Sequence, residues 1–460
     1  MTETPVEPLV QAPPRPRRGL AIGAGAAALA VVAGAVVYAT TALSGGGRQP
    51  DELVPRSAFA YVKVDLDPAA GQKLAARSFF DKLPKDGDAL EDLLTSFLPG
   101  DLDYEKDVEP WFDKRAGVAA FPGAGDSVRV VAVLRSKDDG DARKSLDRVV
   151  ADGDLAYRIE RGYAVVGEQA AVDEAVAQTS EESIADNATY TGDVARLSGD
   201  QVAVGWADLG RAYDVATDAF PLAALLPVGG PEGRTVVGVH LTGDYAELQG
   251  LTIGAQDDAP ATVDHAVMTG LPANTALALS FGDGGKTLDG DGAASLQDLV
   301  GKYLIGSGLS VTGDLLPLLG KQTAVAVGPF RGFSGLKAGI VTQVRDAEKA
   351  RATADKVSGL AGFLGMPMKA EVSGDTFVLA TPEGYATELT KGGGALGRSE
   401  KFRKAMGDLE GASFALYADV KEVQRAAAFF LGLPNTGLTS VGLVGGTREG
   451  ESFYRLRLVA

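Results

Sequence analysis

The chain has 460 residues, with 44 Lys and Arg against 61 Asp and Glu, a formal net charge of -17, two histidines and no cysteine. Disulfides, thiolate metal sites, iron–sulfur clusters and cysteine nucleophiles are therefore excluded, and the acidic balance lacks the basic face that nucleic acid requires. A content of 45% hydrophobic and 23% charged residues is that of a globular chain, and the length predicts two or three domains.

Residues 1–18 carry Pro5, Pro8, Pro13, Pro14 and Pro16 and read as a disordered cytoplasmic tail. From Gly19 to Gly47 no residue is charged, and Leu20–Leu43 is long enough, at about 1.5 Å per residue, to span the roughly 30 Å of a bilayer's hydrocarbon. A transmembrane helix is expected over residues 19–43. A cleavable signal has an apolar region of only about 7–15 residues, so this run is read as an uncleaved signal anchor. Arg15, Arg17 and Arg18 precede it and Arg48 alone follows closely, which places the N-terminus in the cytoplasm and the rest outside the cell membrane. Gly19 and Gly23 form a GxxxG spacing that would let two such helices meet as a homodimer. Residues 44–52, opening with Ser44-Gly45-Gly46-Gly47, are expected to be a flexible spacer.

Beyond the spacer the chain repeats itself. Val54–Val62 parallels Leu271–Leu279, Trp111–Ala120 parallels Leu318–Val327, and the strand Val128–Leu134 with its charged helix Asp139–Val150 parallels Leu336–Val344 with Asp346–Val357. Val202–Leu209 answers Phe414–Val420, and Val236–Leu241 with Ala246–Ile253 answers Val441–Val444 with Ser452–Leu458, which sets His240 against Val444. The order is kept throughout. Two α+β modules are predicted, at 53–254 and 271–460, joined by a linker at 255–270 that contains Pro260. Short turns such as Glu160-Arg161-Gly162 require antiparallel neighbours. The amphipathic stretch with Ala142, Leu146, Val149 and Val150 inward is helical. Each module is therefore read as a mainly antiparallel sheet with helices covering one face.

Chemical signals are sparse. Gly284-Gly285-Lys286-Thr287 lacks the first glycine of a phosphate loop. Asp289, Asp291 and Asp298 fall on calcium-loop positions, with Thr287 at position 1 and an Asp where Glu is usual, and they are the candidate metal ligands. Asp65 and Asp67, on one face of a strand before Pro68, suit either a helix cap or an acid pair for glycoside hydrolysis. His240 reads as a half-buried strand residue. His265, beside Asp264, has no nucleophile motif near it. Asn187-Ala188-Thr189 fits a glycosylation acceptor. No catalytic or cofactor-binding residue is assigned, and no cofactor is expected.

The tail, the apolar helix and the opening Val54-Pro55-Arg56-Ser57-Ala58-Phe59-Ala60-Tyr61-Val62-Lys63-Val64-Asp65-Leu66-Asp67-Pro68 resemble the actinobacterial domain-of-unknown-function family 3352. That resemblance implies a single-pass, membrane-anchored envelope protein and transfers no functional residue. The expectation is a non-catalytic ectodomain that binds or scaffolds an envelope partner. The alternatives are a carboxylate-dependent envelope hydrolase and a carrier of a lipid or other hydrophobic ligand.

Overall fold

The computed structural model describes residues 48–65, 70–83, 108–124, 127–151, 155–211, 232–254, 262–282, 318, 320–330, 335–363, 367–391, 394–431 and 437–460. The expected membrane helix, the Gly19 and Gly23 pair, Asp67, the Gly284–Thr287 stretch and the acidic loop with Asp289, Asp291 and Asp298 lie outside these residues. Among the described residues, no helix is long and apolar enough to cross a membrane.

The strands of the first half are Ala60–Asp65 (β1), Phe112–Pro122 (β2), Val128–Ser136 (β3), Leu155–Glu160 (β4), Tyr163–Glu168 (β5), Gln201–Asp208 (β6), Arg234–Leu241 (β7) and Tyr245–Ile253 (β8). Those of the second are Leu277–Gly282 (β9), Gln322–Val327 (β10), Ala338–Gln343 (β11), Lys369–Ser373 (β12), Thr376–Thr381 (β13), Ala412–Asp419 (β14), Ser440–Arg448 (β15) and Glu451–Val459 (β16). The β4–β5 hairpin closes on Arg161 and Gly162 at φ 52° and 82°, the two left-handed residues that a tight turn matched to strand twist requires. All sixteen strands among the described residues form one sheet, in the order β12-β13-β11-β10-β9-β14-β15-β16-β8-β7-β6-β1-β2-β3-β5-β4.

Outward from the centre both halves run in the same order, and their registers agree. Tyr61 pairs with Trp206 and Ala119 in the first half, and Ala278 pairs with Tyr417 and Ala326 in the second. His240 faces Gln201 as Gly446 faces Ala412, so the register makes Gly446, rather than Val444, the counterpart of His240. A bulge in β6 and another in β14 beside these pairs shift the count that sequence alone suggests.

The two halves share one sheet, because β8 and β16 pair directly over Tyr245–Ile253 and Ser452–Val459. Part of the expected linker is core, with His265 and Met268 fully buried around the helical turn Ala266–Thr269. The end of the expected spacer is packed as well, since Pro50–Leu53 forms a 3-10 turn with Pro50, Asp51 and Leu53 buried.

Helices cover both faces rather than one. On one face, Gln169–Thr179 (α1) and Ala188–Val194 (α2) join the turns Pro50–Leu53 and Ile184–Asp186 over Tyr61, Phe121, Val131 and Val165. On the other, Ala142 and Leu146 of the helix Asp139–Val150 meet Trp111 and Ala164, and Ala76 and Phe79 meet Val64, Val202 and Val239. The physical reason lies in β5, where Tyr163 and Val165 enter one core and Ala164 and Val166 the other. A strand apolar on both sides needs two covers.

Candidate functional site

Two buried carboxylates, Asp51 and Asp193, adjoin in the first half. The 3-10 turn carries Asp51 under the sheet, where Tyr61 Oη donates to Oδ1 at 3.0 Å, Tyr190 Oη to Oδ2 at 2.9 Å and Lys63 Nζ to Oδ2 at 2.6 Å. The period of the strand explains the convergence: Tyr61, Lys63 and Asp65 share the face of β1 that looks toward the turn and α2. The chain just before Asp51 is pinned too, with Tyr163 Oη donating to the Arg48 carbonyl at 2.6 Å and Arg135 reaching the same oxygen at 3.3 Å. Arg135 is in turn paired with Asp113 at 2.8 Å, and buried Arg115 with Asp65 at 3.0 Å.

The second carboxylate is Asp193 on α2. Trp206 Nε1 donates to it at 2.8 Å, and Arg234 grips both of its oxygens at 2.7 and 3.2 Å. Tyr190 stands between the two centres, edge-on to Tyr61 and to Trp206 with ring centroids 5.8 Å apart in each case. Burial, reinforced by the Asp51 charge, pushes the Tyr61 and Tyr190 phenols far above their ordinary value, and burial lifts Tyr163 to about 12. All three stay protonated donors near neutral pH. The Asp193 contact raises Arg234 further, holding it charged.

The second half places the same elements and none of this charge. By strand register and by the matched helix starts at Asn187 and Ser399, Met268 stands for Asp51, Ala278 for Tyr61, Ser280 for Lys63, Phe402 for Tyr190, Ala405 for Asp193, Tyr417 for Trp206 and Ser440 for Arg234. At these positions of the second half, among the described residues, the fold is therefore built without the buried ion pairs of the first. Their presence in the other is a local specialisation, of the kind that buried charge needs a reason to carry. The signal was readable in part: Lys63 and Asp65 put two charges on the same face of β1 as Tyr61.

The remaining residues singled out in the sequence are dispersed. His265 is fully buried in the second half, its Nδ1 2.9 Å from Ser280 Oγ and its Nε2 3.3 Å from the Ala412 carbonyl, and desolvation holds its pKa below the ordinary 6.5. Asp264 accepts from the Ala266 amide and from Gln322. His240 Nδ1 lies 2.8 Å from the Asp200 carbonyl. Asn187 caps α2 through Thr189 and Tyr190. Asp65 lies beside Arg115, and among the described residues no cluster of three or more His, Asp or Glu could hold a metal. At the join of the halves, Glu247 is held by Arg457 and lies 3.9 Å from Arg455, whose pKa is lowered by burial and then by Arg457.

No curated protein and no solved structure matches the chain. Residues 20–179, which include the apolar run and the Asp51, Tyr61 and Lys63 contacts, match the model of the family described as protein of unknown function DUF3352.

Proposed function

We propose that the chain is a single-pass, membrane-anchored extracytoplasmic protein whose sixteen-stranded sheet is a non-catalytic binding or scaffolding body in the cell envelope. The observation that carries this reading is the fastening of Arg48–Leu53. The residues that follow the apolar run are bound into the sheet at once, through the Arg48 carbonyl, buried Pro50 and Asp51, so the sheet is coupled to whatever residues 19–43 occupy. The three-arginine flank before that run orients the tail inward.

The buried carboxylates support a structural rather than a catalytic role. Both oxygens of Asp51 and both of Asp193 are taken by cationic or hydroxyl and indole donors of the protein itself. Three donors of the protein on each carboxylate fit an anchoring role, since they hold both groups in place as acceptors. The reading is tested by protease treatment of intact cells with termini tagged. Digestion of residues 48–460 with a protected N-terminal tag is expected, and a digested N-terminal tag with an intact sheet would overturn the topology. Crosslinking in the same cells is expected to capture an envelope partner on the sheet.

A further inference from the structure

Asp51 and Lys63 are set as the two halves of an amide. Lys63 Nζ stands 2.6 Å from Asp51 Oδ2, so the amine nitrogen is already at contact with the carboxyl group. Tyr61 donates to Oδ1 and Tyr190 to Oδ2, and Asp51, Tyr61 and Tyr190 are all buried. We propose that Lys63 and Asp51 condense without a cofactor to form an intramolecular isopeptide bond between the 3-10 turn and β1.

The step balances within the cluster. A proton passes from the Lys63 ammonium to the Asp51 carboxylate, giving a free amine and a carboxylic acid. The nitrogen lone pair attacks Cγ and the Nζ–Cγ bond forms. Negative charge developing on Oδ1 is met by the Tyr61 hydroxyl, in the manner of an oxyanion hole. The Cγ–Oδ2 bond then breaks, and Oδ2 departs as water with the acid proton and one proton from nitrogen, assisted by the Tyr190 hydroxyl. One water is released; nothing is oxidised or reduced.

Two observations outside the cluster point the same way. A cysteine-free chain has no disulfide to secure its sheet, and the site lies three residues after Arg48, where tension from the N-terminal side would enter. The corresponding positions in the second half, Met268 and Ser280, cannot form the bond, and that half has no such attachment. The chemistry rests on the geometry alone. The mechanical use depends on the tethered reading above, which cell-surface proteolysis tests separately.

The test is a peptide map of the full-length chain, denatured and cut with trypsin. The expected product is Gln49–Arg56 joined to Ser57–Lys73, uncut after Lys63 and lighter than the sum of the two by one water, about 18 Da. Lys63→Arg, which keeps the positive charge beside Asp51, is expected to yield linear Gln49–Arg56 with the segment Ser57–Lys73 cut at position 63, and Tyr61→Phe to leave a larger unjoined fraction. A wild-type map showing linear Gln49–Arg56 and cleavage after Lys63 would overturn the proposal, whatever the variants do.

Discussion

Gln249 of β8 and Arg455 of β16 stand opposite one another at the middle of the sheet, and each is the other's counterpart in the repeat. The pairs on either side exchange in the same way: Leu251 with Phe453 maps onto Glu247 with Arg457, and Gly250 with Tyr454 onto Leu248 with Leu456. A local two-fold axis thus passes through this one pair. This is the self-complementary contact of a symmetric dimer, here between two parts of one chain.

Across that axis the Tyr454 ring lies over Gly250, where an added Cβ would meet it at 2.3 Å. Among the described residues the buried Tyr454 hydroxyl has no hydrogen-bond partner, and burial raises its pKa far above the ordinary value. Tyr454→Phe removes an unsatisfied group while keeping the ring, so a gain of about 1 kcal/mol is expected in urea unfolding. A loss of similar size would show that the hydroxyl is engaged.

Asp193→Ala should cost about 2–3 kcal/mol, because it leaves the Trp206 indole N–H and the Arg234 guanidinium without their acceptor. Adding Arg234→Ser brings the pair to the residues of the second half, Ala405 and Ser440. The double variant is expected to unfold at a higher urea concentration than the simple sum of the two single losses would place it. Strict additivity would argue against a coupled pair.

Stability should fall on mild acidification through His265. Its folded pKa is depressed below 6.5 by burial, so the unfolded chain takes up a proton first. The histidine's contribution is complete above about pH 6.5 and is lost as the pH falls from there to the depressed folded value, below which it changes no further. His265→Asn suits the left-handed backbone at φ 53° and cannot titrate. Its melting temperature should decline less than that of the wild type between pH 7 and 5, and parallel declines would assign the acid sensitivity elsewhere.

Asn187→Ala should cost about 1 kcal/mol, since the amide oxygen accepts from the Thr189 and Tyr190 amides at the start of α2. Thermal denaturation with and without the change is sufficient. An unchanged melting point would mean that water replaces the cap without loss.

How far the fold could be read in advance follows from which forces are local. The β4–β5 hairpin and the helix Asp139–Val150 were legible because a left-handed turn and a 3.6-residue period are written in adjacent residues. The β8–β16 pairing was not: Gln249 and Arg455 lie two hundred residues apart, and nothing local marks an edge strand as destined for another edge. Lys63 passed unmarked within the opening strand, and Asp51 was hidden in a stretch whose glycines suggested a spacer. His265 was placed in a linker because its partners, Ser280 and Ala412, come from strands that only the folded sheet brings beside it.

The join between the halves also sets an order of events. β16 is the last of the sixteen strands to be synthesised, yet it occupies the centre of the sheet, with β15 on one side and β8 on the other. Until it arrives, β8 presents a bare row of backbone donors and acceptors for the whole time that residues 254–450 are being made. Folding of this chain must therefore protect one strand edge until nearly the end, and a frameshift near residue 450 would leave two bare-edged halves in place of one continuous sheet.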